Sequence, residues 1–378
     1  HLFKAGSFLL EFLLRGVTGC TTIAFACFCI CFTSINAQWQ IQGQLQGGFI
    51  APHHDLMDPL IQSHSVAGAI QLVKSVEKRS FSRAYNNPYQ GIDFSYIRTG
   101  SPDYLGNQMT LSFWNKFPVY KGRKPSDLKT RKFFSLGFGI GYSSKTWDLV
   151  SNYQSPVLGS HVNAALSLAF EQQLFATEKK QFLLGLRITH LSNGAFQLPN
   201  LGTNHIAVSL GMQNQHIKKL VEPEIVVAIL PAFHHWNLSI SNGWKEIMEP
   251  GGPKYPIWIA SVGYDIRNKK KHGWGFSLEG IYNNSLLVLM EKRDGEKPNS
   301  AEVMQLGGGL HFIQYFGNTQ IRIEQGIYLR DHWRETTPVY QRVFLRHAPR
   351  NRNYFVQIGL KTHFAKADHG EIGLGYRF

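Results

Sequence analysis

The chain has 378 residues, of which 43% are hydrophobic and only 17% charged, a low charged share for a water-soluble enzyme of this size. Its formal net charge is +14, but the basic residues neither follow a helix face nor alternate with aromatic residues, so we expect no nucleic-acid partner. All four cysteines lie before residue 38, which excludes disulfides and thiolate metal sites from the rest of the chain.

The N-terminal segment has the pattern of an export signal. Lys4 and Arg15 precede an apolar run from Val17 to Phe32, and a short segment ending at Ala37 leads into polar sequence. This order predicts a signal peptide over residues 1–37 that is removed after Ala37. An inner-membrane anchor helix is the alternative interpretation.

Beyond residue 38, apolar and polar residues alternate in runs separated by Gly, Asn, Pro, Asp and Lys. A period of two is typical of strands, and no later apolar run is long enough for a membrane helix. In chain order the candidate strands are 40–51, 65–73, 91–97, 108–119, 134–142, 162–175, 182–193, 206–211, 236–243, 256–266, 273–282, 303–316, 320–329, 340–347, 354–364 and 371–378. We predict an all-β protein, a transmembrane antiparallel β-barrel with an even strand number of about 12 to 16. We expect residues 38–378 to form a single barrel.

Three local patterns support the barrel. In the run 134–142, Phe134, Phe138 and Ile140 share one face, and small residues occupy the other. This pattern places large side chains toward lipid and small ones inside. Gly317-Asn318 predicts a two-residue hairpin. The last run ends on Phe378 and resembles the assembly signal of bacterial outer-membrane barrels, which implies the outer-membrane assembly machinery as a partner; an ordinary edge strand is the alternative.

One strand carries a pair of residues suited to catalysis. His190 and Ser192 are two positions apart, so they share a face with the apolar residues Leu184, Leu186 and Ile188. A serine becomes a nucleophile when an adjacent base takes its proton, and a pair on the apolar face fits a lipid substrate. Taken without other information, two such common residues could also be a coincidence near a strand end.

The residues after this pair carry a resemblance. His190-Leu-Ser192-Asn193-Gly194, followed by Pro199-Asn200-Leu-Gly202 and Asn204, resembles the active-site segment of the outer-membrane lipid A 3-O-deacylases (PagL type), and more closely the longer acyloxyacyl hydrolase-like relatives of Bacteroidetes. The similarity spans residues 132–212, and residues 361–378 resemble the end of the longer relatives.

The resemblance implies an esterase in the outer membrane of a Gram-negative bacterium that removes an ester-linked acyl chain from lipid A (lipopolysaccharide). By the same resemblance, Ser192 is the nucleophile and His190 the general base. Asn200 and the backbone amides around Asn193 and Gly194 form the oxyanion hole. No cofactor is implied, and the pairs His53-His54 and His234-His235 indicate loop histidines and no metal site, because no cysteine or carboxylate stands at ligand spacing.

The sequence departs from the family at one site position. The family has a glutamate fourteen positions after the histidine, and this chain has Asn204 there. An asparagine can accept a hydrogen bond from the histidine ring but cannot balance its positive charge. Three outcomes are open: Asn204 suffices, another carboxylate replaces it, or activity is lost and the barrel acts as a channel, transporter or lipid-binding protein. The candidate carboxylates are Asp148, Glu171, Asp368 and Glu371.

Overall fold

The computed structural model describes residues 39–76, 80–119, 131–177, 179–214, 232–268, 271–333, 337–349, 351–364 and 366–378. The predicted signal peptide lies outside these residues. The strands are β1 (Trp39–Ile50), β2 (Ser65–Ser75), β3 (Tyr89–Arg98), β4 (Asn107–Val119), β5 (Lys132–Ser143), β6 (Val162–Ala176), β7 (Lys180–Ser192), β8 (Thr203–Asn214), β9 (Phe233–Glu246), β10 (Lys254–Arg267), β11 (His272–Asn283), β12 (Met304–Phe316), β13 (Thr319–Arg330), β14 (Val339–His347), β15 (Tyr354–His363) and β16 (Lys366–Arg377).

In the part of the chain that the structure describes, three short helices lie in the connections. They are a 3-10 helix over Asp55–Leu60, α1 over Ser80–Ala84 and α2 over Ser285–Asp294. Within the described ranges, no helix has the length and apolar character needed to cross a membrane.

The strands close into two barrels. β8 pairs with β1, with Gln213 opposite Gln42, and β16 pairs with β9, with Glu371 opposite Gly243. Strands β1 to β8 therefore form one closed antiparallel barrel, and β9 to β16 form another. The predicted fold class and even strand number are confirmed, but the prediction of a single barrel over residues 38–378 is wrong. The period-two pattern shows only whether a side chain points outward or inward. It does not show which strand pairs with which, so it cannot distinguish one barrel from two.

The outer walls are apolar because each strand directs alternate side chains outward. In β5, Phe134 and Ile140 are 39% and 59% exposed, whereas Ser135 on the opposite face is fully buried. This arrangement confirms the predicted faces of that strand. The predicted hairpin at Gly317-Asn318 is also confirmed, since Phe316 pairs with Thr319.

Polar side chains fill the interior of the first barrel. The Lys116 ammonium lies 2.9 Å from Glu171 and donates to the side-chain oxygen of Gln42 at 2.6 Å. Arg187 donates two hydrogen bonds to Asp93, at 2.9 and 2.6 Å. Eight strands enclose a space just wide enough for side chains. These buried pairs therefore occupy the volume that a wider barrel would leave to water.

The second barrel has a similar charged interior. Arg342 lies 2.5 Å from Glu279 and 2.6 Å from Glu371, and His311 lies 2.9 Å from Asp265. All five side chains are buried. Because each of these five groups lies beside an opposite partner, none of them is buried as an isolated charge.

The two barrels contact each other at one end through Tyr85, the residue that follows α1. The Tyr85 hydroxyl donates to the backbone oxygen of Tyr315 at 2.6 Å, and its ring lies 5.2 Å from the Phe316 ring. Burial raises the pKa of Tyr85 to about 12. The hydroxyl therefore keeps its proton at neutral pH and remains a donor to the second barrel.

Candidate active site

His190 and Ser192 both lie on the outer face at the end of β7. His190 is half-buried, as is Ser192, and the outward side chains before them, Leu184 and Leu186, are 41% and 48% exposed. The alternate residues of the same strand, Arg187 and Thr189, point into the barrel and are buried. The predicted placement of the pair on the apolar wall is what the structure has.

His190 is held by its cross-strand neighbour. Asn204 stands directly opposite it on β8, and the two side chains form a hydrogen bond of 2.7 Å between Nδ1 and Oδ1. A residue fourteen positions later meets the histidine because the ten residues between β7 and β8 reverse the chain within one hairpin. Asn204 therefore occupies the orienting position that the sequence comparison gave it.

No carboxylate takes over this position among the described residues. Glu171 pairs with Lys116 inside the first barrel, and Asp368 lies 2.6 Å from Lys245 in the second. The other two candidates are engaged in the same way, Asp148 with Ser151 and Glu371 with Arg342. None of the four candidate carboxylates therefore takes the place of Asn204 beside the His190 ring.

Ser192 is surrounded by hydrogen-bond donors from the loop that follows it. The Asn200 side chain donates through Nδ2 to the Ser192 hydroxyl oxygen at 2.9 Å, and the backbone amide of Gly194 donates to the same oxygen at 3.2 Å. The backbone amide of Asn193 donates instead to Asn200 Oδ1 at 3.0 Å. The Ser192 hydroxyl in turn donates to the same Asn200 Oδ1 at 3.2 Å, so both ends of the Asn200 amide lie against Ser192.

Gly202 lies where the loop passes beside both catalytic candidates. Its φ is +80°, and a Cβ added there would lie 3.0 Å from His190 Cε1 and 3.4 Å from Ser192 Cβ. The two side chains therefore border the same small space. Among the hydrogen bonds of the described chain none joins His190 to Ser192, a bond that often forms only when substrate is present.

One residue at the site, His53, was not predicted from the sequence. It follows β1, and its Nδ1 lies 3.0 Å from Asn204 Nδ2 while its Nε2 lies 2.9 Å from the backbone oxygen of Leu201. The sequence signal for it is the pair His53-His54, whose pattern predicts loop histidines. His54, the second of that pair, accepts from the Leu56 amide at 3.2 Å and caps the 3-10 helix.

The other predicted loop pair, His234-His235, lies within β9. His235 Nε2 is 3.5 Å from Asp265 inside the second barrel. The loop assignment is therefore wrong. Across the described residues, no group of three or more His, Cys, Asp or Glu side chains is arranged to hold a metal ion.

The second barrel anchors the loop that follows Ser192. The backbone oxygens of Gly194 and Ala195 accept from the amides of Gly370 and Glu246, each at 3.1 Å. The Glu246 carboxylate accepts from the Leu198 amide at 2.7 Å. Gly194 has a φ of +65°, and a Cβ there would lie 3.3 Å from the Gly370 nitrogen. The second barrel therefore fixes the segment that carries the donors around Ser192.

A groove runs between the barrels beside this loop. Its volume is about 280 Å³, and most of its lining is apolar. Phe196, Trp244 and Ile372 are its large apolar side chains, and they are 41 to 58% exposed. The remaining lining residues are Asn193, Asn242, Gly370 and Glu371. The groove shares Asn193 with the surroundings of Ser192.

Comparisons with known families match the two barrels one by one. The family model described as lipid A 3-O-deacylase (PagL) matches residues 69–213, and the model described as acyloxyacyl hydrolase, C-terminal domain, matches residues 234–378. The first match ends with β8, and the second begins with β9. Together they cover more than half of the chain.

Three solved structures are similar to the chain at low sequence identity and low TM-score. The outer membrane enzyme PagL is 17% identical with a TM-score of 0.30, covering 45% of this chain and 97% of that one. The Acinetobacter baumannii outer membrane protein Omp33 is 8% identical with a TM-score of 0.17, covering 90% of this chain and 97% of that one. A Rhodopseudomonas blastica porin mutant is 9% identical with a TM-score of 0.17, covering 90% and 99%. No curated protein matches the chain.

Proposed function

Because the chain belongs to the outer-membrane β-barrel family of lipid A 3-O-deacylases and acyloxyacyl hydrolases, we propose that it removes an ester-linked acyl chain from lipid A in the outer membrane of a Gram-negative bacterium. Ser192 is the proposed nucleophile and His190 the general base. The observation that carries the proposal is the position of this pair on the lipid-facing wall, with two hydrogen-bond donors directed at the Ser192 oxygen.

The proposed reaction follows the serine hydrolase sequence. Ser192 Oγ attacks the ester carbonyl while His190 Nε2 takes the hydroxyl proton, and the protonated ring then gives this proton to the departing alcohol. Water next enters, activated by His190, and releases the fatty acid from Ser192. Asn204 supports each step by holding the His190 ring at the angle set by their 2.7 Å hydrogen bond.

The negative charge on the carbonyl oxygen needs donors that are in place before the reaction. Asn200 Nδ2 and the Gly194 amide already lie 2.9 and 3.2 Å from Ser192 Oγ, the atom that becomes bonded to the carbonyl carbon. A donor of this kind typically contributes ~3–4 kcal/mol of barrier lowering. Asn193 acts through the hydrogen bond that its backbone amide donates to Asn200 Oδ1, because this bond helps to hold the Asn200 side chain beside Ser192.

The groove between the barrels is the proposed site for the acyl chain. Its lining by Phe196, Trp244 and Ile372 suits a hydrocarbon chain, and it begins at the loop that carries the oxyanion donors. Because hydrogen bonds hold that loop to the second barrel, the bound acyl chain and the ester carbonyl keep a fixed distance and orientation relative to each other. This fixed positioning lowers the entropic part of the activation free energy of ester cleavage.

A channel or transporter is the alternative function. A narrow barrel conducts only if its interior holds water, and in both barrels buried ion pairs such as Lys116–Glu171 and Arg342–Glu371 occupy the interior. This packing favours the esterase. Planar-bilayer recordings of the purified protein check the alternative: steady conductance together with an absence of ester hydrolysis would support it.

Mass spectrometry of lipid A tests the proposed function. Cells that express the protein should contain lipid A lacking one ester-linked acyl chain, and cells that express Ser192→Ala should not. Ser151→Ala, in an exposed loop, is the matched control and should behave as the unchanged protein. Unaltered lipid A in cells with abundant, correctly inserted protein would refute the proposal.

The C-terminal strand also supports an outer-membrane location. β16 completes the second barrel by pairing with β9, and the Phe378 amide donates to the backbone oxygen of Trp236 at 2.9 Å. We propose that this strand, ending on an aromatic residue, is recognised by the outer-membrane assembly machinery. Deletion of Phe378 should then reduce the amount of inserted protein, measured by membrane fractionation.

A further inference from the structure

We propose that His53 is a positioning residue for the catalytic base, because it fixes the orientation of the Asn204 amide and through it the tautomer of His190. The proposal rests on the proposed function and explains how an asparagine can stand where the family has a glutamate. It depends on a chain of three hydrogen bonds: His190 to Asn204, Asn204 to His53, and His53 to the backbone of Leu201.

The donor and the acceptor in each of these hydrogen bonds follow from the last one, between His53 and Leu201. A backbone oxygen can only accept, so His53 Nε2 must carry the hydrogen in its 2.9 Å bond to Leu201. The other nitrogen of a neutral His53 ring, Nδ1, is then an acceptor. The Asn204 atom 3.0 Å from it must be a donor, which is the NH₂ group. The carbonyl oxygen of Asn204 consequently faces His190.

This orientation sets the state of the catalytic base. With Asn204 Oδ1 at 2.7 Å, the hydrogen of the neutral His190 ring lies on Nδ1, and Nε2 has a free lone pair. A free Nε2 is what a base needs in order to accept the proton of Ser192. The reversed amide would place NH₂ against Nδ1 and the ring hydrogen on Nε2, where it blocks proton transfer.

An asparagine alone does not determine which way it points. A carboxylate accepts with either oxygen, whereas an amide has one accepting and one donating end. In a serine triad, replacing the acid by an amide lowers turnover by ~10⁴-fold because the histidine is held in the wrong tautomer. His53 removes this ambiguity here, since a reversed Asn204 would set two acceptors against each other at His53 Nδ1.

The fold brings His53 to the site through the closure of the first barrel. β1 pairs with β8, and the Ala51 amide extends that pairing by donating to the Asn204 backbone oxygen at 2.7 Å. His53 follows two residues later. Its side chain is exposed, so it contributes little to the core, and its replacement leaves the strand pairing intact.

Ring ¹⁵N NMR of His190 in detergent-solubilised protein, at a pH where both rings are neutral, tests the proposal without requiring catalysis. The unchanged protein should have hydrogen on Nδ1 and none on Nε2. His53→Ala should move part of the population to the Nε2–H form, whereas His54→Ala, the matched control, should not. Identical His190 spectra in the unchanged protein and His53→Ala would overturn the proposal.

Kinetics with a soluble acyl ester provide the second measurement. His53→Ala should lower kcat by about fivefold or more, from the loss of one orienting hydrogen bond, with a limit near the ~10⁴-fold cost of a wrong tautomer. In an Asn204→Asp background, His53→Ala should change kcat by less than about twofold, because a carboxylate needs no orientation. An equal loss in both backgrounds would show a merely structural role and overturn the proposal.

The two proposals can fail separately. If the unchanged protein hydrolyses no ester but its His190 tautomer responds to His53→Ala, the proposed function is wrong and the positioning role of His53 stands. If hydrolysis depends on Ser192 but neither the tautomer nor kcat responds to His53→Ala, the function stands and the positioning role is wrong.

Discussion

Glu246 offers the sharpest test of whether the second barrel takes part in catalysis. Its carboxylate is buried and accepts hydrogen bonds from the Leu198 amide at 2.7 Å and from the Lys254 ammonium at 2.9 Å. Glu246→Ala removes both bonds and leaves the loop attached by its backbone bonds alone. A hydrogen bond to a charged group is worth ~1.5–3 kcal/mol.

If the hydrogen bond to Glu246 holds the loop in the position required for the reaction, losing it raises the activation free energy by the same amount. At ~1.4 kcal/mol for each factor of ten, kcat/KM should fall by about 10- to 150-fold. Glu246→Gln keeps an acceptor for the Leu198 amide and should lose less. The assay is hydrolysis of a long-chain acyl ester in mixed micelles, with folding checked by heat-dependent gel mobility.

Glu249→Ala is the matched control, because Glu249 is exposed and lies three residues from Glu246. It should leave kcat/KM unchanged. A Glu246→Ala protein that is folded and retains full kcat/KM would refute the reasoning that the second barrel positions the catalytic loop. An equal fall in Glu249→Ala would show that any change in this turn disturbs the site.

Three further predictions follow from particular contacts. Gly202→Ala should lower kcat at least tenfold without unfolding the barrel, measured by the same assay, because a Cβ at φ +80° lies 3.0 Å from His190 Cε1. Ile372→Trp, which fills the groove, should reduce kcat/KM for long acyl chains more than for short ones, whereas Leu374→Trp on the same strand face should not; equal selectivity in the two variants counts against the groove. Lys116→Met should destabilise the first barrel by ~3–5 kcal/mol in urea unfolding, because it leaves the Glu171 charge buried without its partner, and a change below 1 kcal/mol would contradict that account.

The strands were predictable because barrel walls impose a strict alternation on the sequence. In β5 and β7, large apolar residues point to lipid and small or polar ones point inward, so the pattern is visible in a single sequence. For the same reason, the outward position of His190 and Ser192 followed from their two-residue spacing.

The closure into two barrels was not predictable from this alternation. A strand such as β8 has the same apolar and polar faces whether its neighbour is β9 or β1. Only the pairing of Gln42 with Gln213, which joins residues at the two ends of the first half, shows that the barrel closes after eight strands.

For the same reason, the role of His53 was not predictable from the sequence. His53 and Asn204 are separated by 151 positions, and they meet only because β1 and β8 are neighbours. In a single large barrel, β1 would instead lie beside the last strand, far from the β7–β8 hairpin. The proximity of four residues was predictable because they belong to one hairpin and its loop: His190, Ser192, Asn200 and Asn204. Their catalytic roles stay a prediction.

Covalent labelling of Ser192 tests the central claim most directly. An alkyl fluorophosphonate reacts with a serine that a neighbouring base has activated: the serine oxygen bonds to phosphorus, fluoride leaves, and the serine proton passes to the base. Peptide mass spectrometry of the labelled, detergent-solubilised protein should find the phosphonyl group on Ser192 and find none in the Ser192→Ala or His190→Ala protein. An unlabelled Ser192 in folded protein, or equal labelling after His190→Ala, would contradict the claim that this outward-facing pair is a catalytic nucleophile and its base.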